Sequence, residues 1–225
     1  MPIRMEVCVD CLGSVKAVEE YVSQGENRYE VCSNLLSGGG LTPSLGLIRL
    51  IRKRHPSARL MTMIRPRTGS FVYSEDELLT MASDILAFKE EGVMGFVFGC
   101  LTAGGEVDVA ACRSGHSRTA LEGAWTLNEL VESTRYLSTL PDHREITITL
   151  ASGINDENLS TLRKLVPNLQ EIHLSASGAW MPEMSFSLAK GAQLGFGSGE
   201  EWRIERDRVR RVWEAVTRWN AQERE

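Results

Sequence analysis

The sequence predicts an α/β protein built on a parallel β-sheet of about six strands. Strand-like apolar segments alternate along the chain with helical segments, an order that is typical of right-handed β–α–β units. The length of 225 residues suits one domain with a sizeable core, and we expect a single domain over residues 1–225. The predicted strands are 4–10, 28–33, 59–64, 93–99, 145–150 and 171–175.

Helix-start signals separate these strands in the first half of the chain. Thr42 followed by Pro43 fits an N-cap with proline at the first helical position. Ser74 and Glu77 have the spacing of a capping box. The helices predicted from these signals and from apolar periodicity are 12–22, 43–55 and 74–92.

The second half continues the pattern less regularly. A helix is predicted at about 117–136, and Asn155 is expected to cap another that reaches Val166. From Glu200 onward, apolar residues recur at helical spacing and indicate a long terminal helix: Val209, Val212, Trp213, Val216 and Trp219.

Composition argues against several classes of protein. The net charge of -5 gives no electrostatic reason to expect nucleic acid or an anionic membrane as a partner. No apolar run approaches the roughly 18 residues of a membrane span, and the N-terminus has no signal-peptide pattern. Five cysteines, an odd number without a secretory signal, are expected to be reduced thiols in the cytoplasm.

A repeated tripeptide carries most of the chemistry. Glu6, Val7 and Cys8 lie in the first predicted strand, and the same tripeptide recurs as Glu30, Val31 and Cys32 in the second. Because strand side chains alternate between two faces, each glutamate shares a face with its cysteine. If the two strands are parallel neighbours, we expect Cys8 and Cys32 to lie side by side.

Cys11 adds a third thiol near this patch and makes a C-x-x-C motif with Cys8. That spacing fits a redox pair, metal ligands or buried structural thiols equally. Soft thiolates favour Cu(I), with zinc as the common competitor. Zinc normally takes four ligands, and neither a second C-x-x-C nor a histidine nearby in the sequence supplies them, so copper is favoured over zinc if a metal binds.

Two arginines follow the third predicted strand. Arg65 and Arg67 flank a proline, and we expect both to project near the carboxyl end of the strand, where parallel α/β folds build their sites. They could bind a carboxylate or phosphate, or pair with Glu6 and Glu30. The glycines at 38–40 fit a sharp strand-to-helix turn better than an anion-binding loop.

Two further groups have both a structural and a chemical interpretation. His173 lies on the last predicted strand, where a hydrogen-bonded interior imidazole is the favoured interpretation. Glu6 and Glu30 could act as an acid/base pair, because neighbouring carboxylates push their pKa values apart.

Several motifs together resemble the CutC copper-homeostasis family. They are Met-Glu-Val-Cys-Val-Asp at 5–10, Glu-Val-Cys-Ser at 30–33, Gly-Gly-Gly at 38–40, Thr-Pro-Ser at 42–44, Met-Ile-Arg-Pro-Arg at 63–67 and Val-Phe-Gly at 97–99. The resemblance implies a TIM-type (β/α) barrel, a cytoplasmic homo-oligomer and a role in copper binding. It also implies that Cys8 and Cys32 are the Cu(I) ligands.

The chain departs from the family pattern in its middle. About two βα units, with a His-Arg-Ala-Phe-Asp motif, are expected to be missing near 107–115, so the predicted barrel is incomplete. A later triple glycine is replaced by Ala-Ser-Gly at 151–153, and Cys11 stands where the family has a small hydroxyl residue.

Three functions are compatible with these residues. The favoured one is copper homeostasis, with Cys8 and Cys32 as ligands and Cys11 as an auxiliary ligand. In it, Glu6, Glu30 and Arg65 tune the pocket. The second is a barrel enzyme acting on a small anionic metabolite that Arg65 and Arg67 would hold. The third is a degenerate barrel without activity.

Overall fold

A curled sheet of parallel strands forms the centre of the computed structural model, which describes residues 3–22, 27–108, 118–119, 149–151, 153–166, 169–181 and 201–222. The strands are β1 Arg4–Val9, β2 Arg28–Val31, β3 Arg59–Met63, β4 Gly95–Phe98, β5 Arg118–Thr119, β6 Thr149–Leu150 and β7 Glu171–Leu174. Their order across the sheet is β5-β4-β3-β2-β1-β7-β6. Strand β1 therefore lies between β2 and β7, which come from early and late parts of the chain.

Helices and one antiparallel hairpin complete the described structure. The helices are α1 Leu12–Glu19, α2 Leu35–Gly38, α3 Leu45–Arg54, α4 Glu75–Glu90, α5 Leu159–Leu165 and α6 Arg206–Gln222. The hairpin pairs β8 Ser177–Trp180 with β9 Glu201–Ile204. Within the described residues, no helix combines the length and apolar character needed to cross a bilayer.

The fold class predicted from the sequence, an incomplete (β/α) barrel, is confirmed. Each of the six predicted strands contributes to the parallel sheet, the fifth of them through Thr149–Leu150. The two-residue strand β5 adds a seventh member. In the part of the chain that the structure describes, β5 and β6 each pair on one side only, so the sheet stays open between them.

Two local predictions were wrong. Ser44, not Thr42, caps α3 by accepting a hydrogen bond from the Leu47 N–H, because the Thr42 hydroxyl already accepts from the Arg65 N–H at 2.9 Å. The helix predicted at 117–136 does not begin there, because Arg118–Thr119 pairs with β4. The remainder of that segment, and the family segment expected to be missing near 107–115, lie mostly outside the described residues.

Alternation along the strands separates an apolar outer face from a polar inner face. The outer side chains pack beneath the helices and form the core, which includes Met5, Val7, Tyr29, Val31, Leu60, Ile172, Val15, Ile51 and Val212. The Ser74–Glu77 capping box begins α4 as predicted. On the inner face, strands β1, β2 and β7 carry buried charged side chains instead: Glu6, Arg28, Glu30 and Glu171.

Candidate metal centre

Strand register brings three inner-face side chains together. Cys8 on β1 is the Cα partner of Glu30 on β2, and Glu6 on β1 is the Cα partner of His173 on β7. Ligand atoms of Cys8, Glu30 and His173 all lie within 4.8 Å of one another. We refer to these three residues as the Cys8–Glu30–His173 cluster.

His173 is hydrogen-bonded on both sides of its ring. Its Nε2 lies 3.0 Å from Cys8 Sγ, and its Nδ1 lies 2.9 Å from Glu6 Oε1 and 3.7 Å from Glu30 Oε2. An ionised carboxylate only accepts hydrogen bonds, so Nδ1 donates to Glu6. Nε2 is therefore the ring atom that faces the thiol.

A buried guanidinium, that of Arg28, holds the carboxylates of Glu6 and Glu171 beside the cluster. Arg28 donates through Nε to Glu6 Oε2, and its two terminal nitrogens lie 3.2 and 2.9 Å from the carboxylate oxygens of Glu171. Thr149 also donates to Glu171, at 2.8 Å. The network therefore links β1, β2, β6 and β7 across the inner face, and Arg28 neutralises carboxylates that would otherwise be costly to bury.

Burial and charge shift the pKa values of these groups. Burial opposes the charged form of Glu6, but His173 and Arg28 outweigh it and lower the pKa of this carboxyl. Burial also opposes the imidazolium of His173, yet its hydrogen bonds to Cys8 and Glu6 raise the pKa well above the usual range. Burial raises the pKa of Cys8 to about 11, so the thiol keeps its proton at neutral pH.

Cys32 lies near the cluster but not beside Cys8 in register, contrary to the expected lateral pairing. Because Cys8 pairs with Glu30, Cys32 follows the end of β2, two residues further along the same face. Its backbone N–H donates to the Val9 carbonyl at 3.0 Å, and its side chain is fully buried. Burial, followed by the charge of Glu30, raises the pKa of the Cys32 thiol.

Cys11 is the exposed thiol of the set. It immediately precedes α1, and its Sγ lies 3.3 Å from the Ser14 hydroxyl. The Cys8–Glu30–His173 cluster does not include it. The structure thus separates the three cysteines into a clustered thiol, a neighbouring buried thiol and a solvent-facing thiol.

The two predicted anion-binding arginines have protein partners. The Arg65 guanidinium donates to the Gly38 and Gly40 carbonyls at 2.8 and 3.2 Å and lies over the Phe71 ring. Arg67 donates to the carboxylate of Glu77. These contacts anchor loops at the carboxyl end of β3, and Gly40, with φ +97, supplies the turn that the glycine run predicted.

Sequence reasoning missed the role of Arg28, which was taken only as the start of a strand. His173 is hydrogen-bonded, as predicted for an interior imidazole, but its position beside Cys8 was not predicted. A usable signal was present, since Glu171, His173 and Ser175 alternate onto one face of their strand. The sequence pattern does not reveal that β7 pairs with β1. This pairing brings the face of β7 that carries His173 beside Glu6 and Cys8.

An open cleft gives access to the cluster from the carboxyl end of β7. Cys8 and His173 border it together with Ser175, Asn155, Asp156, Arg208 and Arg211. Ala176 in its wall has φ 48, a left-handed conformation that a residue other than glycine adopts rarely and often near functional sites.

Fold and site together define a (β/α)-barrel-type protein with a thiol, imidazole and carboxylate cluster inside the sheet. The CutC family model matches residues 3–118. The chain is 42% identical over 112 residues to the copper homeostasis protein cutC homolog of Caenorhabditis elegans, covering 50% of this chain and 43% of that relative. It is 30% identical to a CutC family protein of Vibrio vulnificus, covering 91% of this chain and 92% of that relative.

A mammalian relative and a solved structure agree with these matches. The mouse copper homeostasis protein cutC homolog is 31% identical, with 84% of this chain and 80% of that protein covered. The crystal structure of CutC from Streptococcus agalactiae superposes with a TM-score of 0.59 at 24% identity, covering 78% of this chain and 99% of that chain. The chain belongs to the CutC family.

Proposed function

We propose that this protein serves copper homeostasis by binding Cu(I) through the thiolates of Cys8 and Cys32. The observation that carries the proposal is the burial of both thiols in a chain of the CutC family, Cys8 on β1 and Cys32 directly after the end of the neighbouring β2. The Cys32 N–H donates to the Val9 carbonyl at 3.0 Å, which keeps Cys32 alongside β1. Two thiolates are a preferred donor set for Cu(I).

A soft thioether near Cys32 strengthens this assignment. A side-chain carbon added at Gly40 would meet Met63 Sδ at 2.7 Å and Cys32 Cβ at 3.7 Å, so both groups border the same point. Thioether sulfur is another soft ligand that selects Cu(I). The surroundings of Cys32 therefore favour a soft monovalent ion over an oxygen-seeking one.

The remaining predicted residues have supporting roles in this proposal. Cys11 is exposed and three residues beyond Cys8, which supports an auxiliary role in receiving the ion from solvent. Glu6 and Glu30 tune the charge around the thiols, and Glu30 raises the pKa of both Cys8 and Cys32. The loop contacts of Arg65 support an architectural role, and no anionic cofactor is proposed for it.

Location and assembly are part of the same proposal. Cys8, Cys11 and Cys32 are in the thiol form, which supports a reducing compartment such as the cytoplasm. Leu79 and Leu86 on α4 are 61% and 64% exposed, which supports self-association of the chain. Sedimentation equilibrium of the wild type beside a Leu79→Lys, Leu86→Lys double variant measures this association.

Titration of the reduced protein with Cu(I) against a competing chromophoric chelator tests the function. We expect one Cu(I) per chain, with the affinity lost in Cys8→Ser and in Cys32→Ser. Cys100→Ser is the matched control, because Cys100 is a buried cysteine outside the cluster. Unchanged affinity in both the Cys8 and Cys32 variants would refute the assignment.

A further inference from the structure

The Cys8–Glu30–His173 cluster differs in chemistry from the pair of thiols proposed for Cu(I). It offers one sulfur, one imidazole nitrogen and one carboxylate oxygen, from three adjacent strands of one sheet. Sulfur, nitrogen and oxygen are the three donor types that proteins use for Zn²⁺. Ions that prefer oxygen alone, such as Mg²⁺, do not match a set containing a thiolate.

The summed charge of the three ligands indicates whether a divalent or a monovalent ion suits the cluster. When bound to a metal, Cys8 and Glu30 are both anionic and His173 is neutral, so the three ligands carry two negative charges. A divalent ion cancels these two charges completely, so this set of three ligands matches a divalent ion in charge as well as in donor type.

The surroundings of His173 are those of a metal-binding histidine. Its Nδ1 donates to Glu6 at 2.9 Å, and Arg28 in turn holds the other oxygen of Glu6. A carboxylate on the second ring nitrogen is the usual support of a ligating histidine, because it fixes the ring and leaves Nε2 for the metal. Here Nε2 is the atom that faces Cys8 Sγ.

The distance between Cys8 and His173 requires only a small adjustment to fit a shared ion. Cys8 Sγ and His173 Nε2 are 3.0 Å apart. Bonds of about 2.3 Å from zinc to sulfur and about 2.0 Å to nitrogen, at a tetrahedral angle, would place these atoms about 3.5 Å apart. A side-chain rotation that lengthens the distance between Sγ and Nε2 by about half an ångström would therefore let both atoms bind one zinc ion.

We propose that Cys8, His173 and Glu30 form a three-ligand Zn²⁺ site whose fourth position opens into the cleft. Cys8 and His173 border that cleft together with Arg208 and Arg211, which are paired with Glu205 and Asp156. Three protein ligands with one open position are the arrangement of zinc sites that bind water or a substrate rather than of closed structural sites. The open position would take water or a small ligand that enters through the cleft.

Zn²⁺ and Cu(I) binding share Cys8 but differ in their other ligands, so their variants separate the two proposals. Titration of the reduced protein with Zn²⁺ against a chelating dye is expected to give one ion per chain. Loss of a supporting residue typically weakens a metal site 10–100-fold, and we expect Glu30→Gln and His173→Gln to weaken Zn²⁺ binding by at least about 100-fold. Cys32→Ser is expected to leave Zn²⁺ affinity unchanged while it abolishes Cu(I) binding.

Co²⁺ in place of Zn²⁺ gives a spectroscopic readout on the wild-type protein. We expect a thiolate-to-cobalt charge-transfer band of one sulfur ligand, with tetrahedral d–d bands that shift when thiocyanate is added. Circular dichroism of each variant checks its fold. Lack of Zn²⁺ binding by the wild type overturns the proposal. So does Zn²⁺ affinity that survives in folded Glu30→Gln and His173→Gln, or a cobalt spectrum with two sulfur ligands.

Discussion

His173 connects the electrostatics of the inner face to the stability of the chain. Its ring lies between the Cys8 thiol and the Glu6 carboxylate, and these contacts raise its pKa well above the ordinary value of 6.5. A positive imidazolium also balances the buried carboxylates that Arg28 alone does not neutralise. The metal-free protein should therefore hold one proton here that the unfolded chain releases near neutral pH.

This proton makes folding depend on pH in a defined direction. Above pH 6.5 the unfolded chain loses the imidazole proton while the folded chain keeps it, so the free energy of unfolding falls as pH rises. We expect metal-free wild type to lose stability relative to His173→Gln from pH 6.5 up to 9.0, where thiols begin to titrate. Denaturant unfolding across this range measures the difference, and a difference that stays constant with pH contradicts the assignment.

At the scale of elements, Arg28 joins neighbouring strands through charge. Its side chain and those of Glu6 and Glu171 are each at most 9% exposed, so removing the guanidinium takes away the buried cation that these two carboxylates share. We expect Arg28→Met to lower the free energy of unfolding by about 3–5 kcal/mol, measured by urea denaturation.

An exposed ion pair provides the matched control for this substitution. Arg49 pairs with Glu91 at 2.8 Å, but its side chain is 61% exposed. Arg49→Met should therefore change the free energy of unfolding by at most about 1 kcal/mol. Equal effects of the two substitutions would mean that burial of the Arg28 network contributes nothing specific.

The elements were more predictable than their pairing. Local patterns predicted the strand carrying Glu6 and Cys8 and the face these residues share, because alternation is a property of each strand alone. The register of β1 against β2 was not predictable, since α1 and its turns set it through packing. The contact between Cys8 and His173 depends on the pairing of β1 with β7. These strands are far apart in the sequence, so no local pattern predicts that they pair.

At the scale of the whole molecule, the last helix holds the first strand. Asn220 on α6 accepts a hydrogen bond from the Ile3 N–H at 2.7 Å and donates to the Ile3 carbonyl at 3.1 Å. The buried face of α6, with Val209, Val212 and Val216, belongs to the same core as β1. These contacts support the proposal that residues 1–225 form one domain.

Loss of this clamp should destabilise the molecule as a unit. We expect Asn220→Ala to lower the free energy of unfolding by about 1–3 kcal/mol, because two backbone groups of Ile3 lose their partner. Gln222→Ala on the same helix, where the exposed side chain accepts a hydrogen bond from Arg163 at 3.3 Å, is expected to be close to neutral. Thermal unfolding followed by circular dichroism should show a single transition in each protein, and separate transitions would contradict a single domain.

X-ray absorption at the copper edge of the Cu(I)-loaded, reduced protein identifies the atoms that hold the ion. Coordination by Cys8 and Cys32 predicts two sulfur neighbours around copper in the wild type, reduced to one in Cys32→Ser if any copper remains bound. A wild-type spectrum with one sulfur and a nitrogen neighbour, unchanged in Cys32→Ser, would contradict the account.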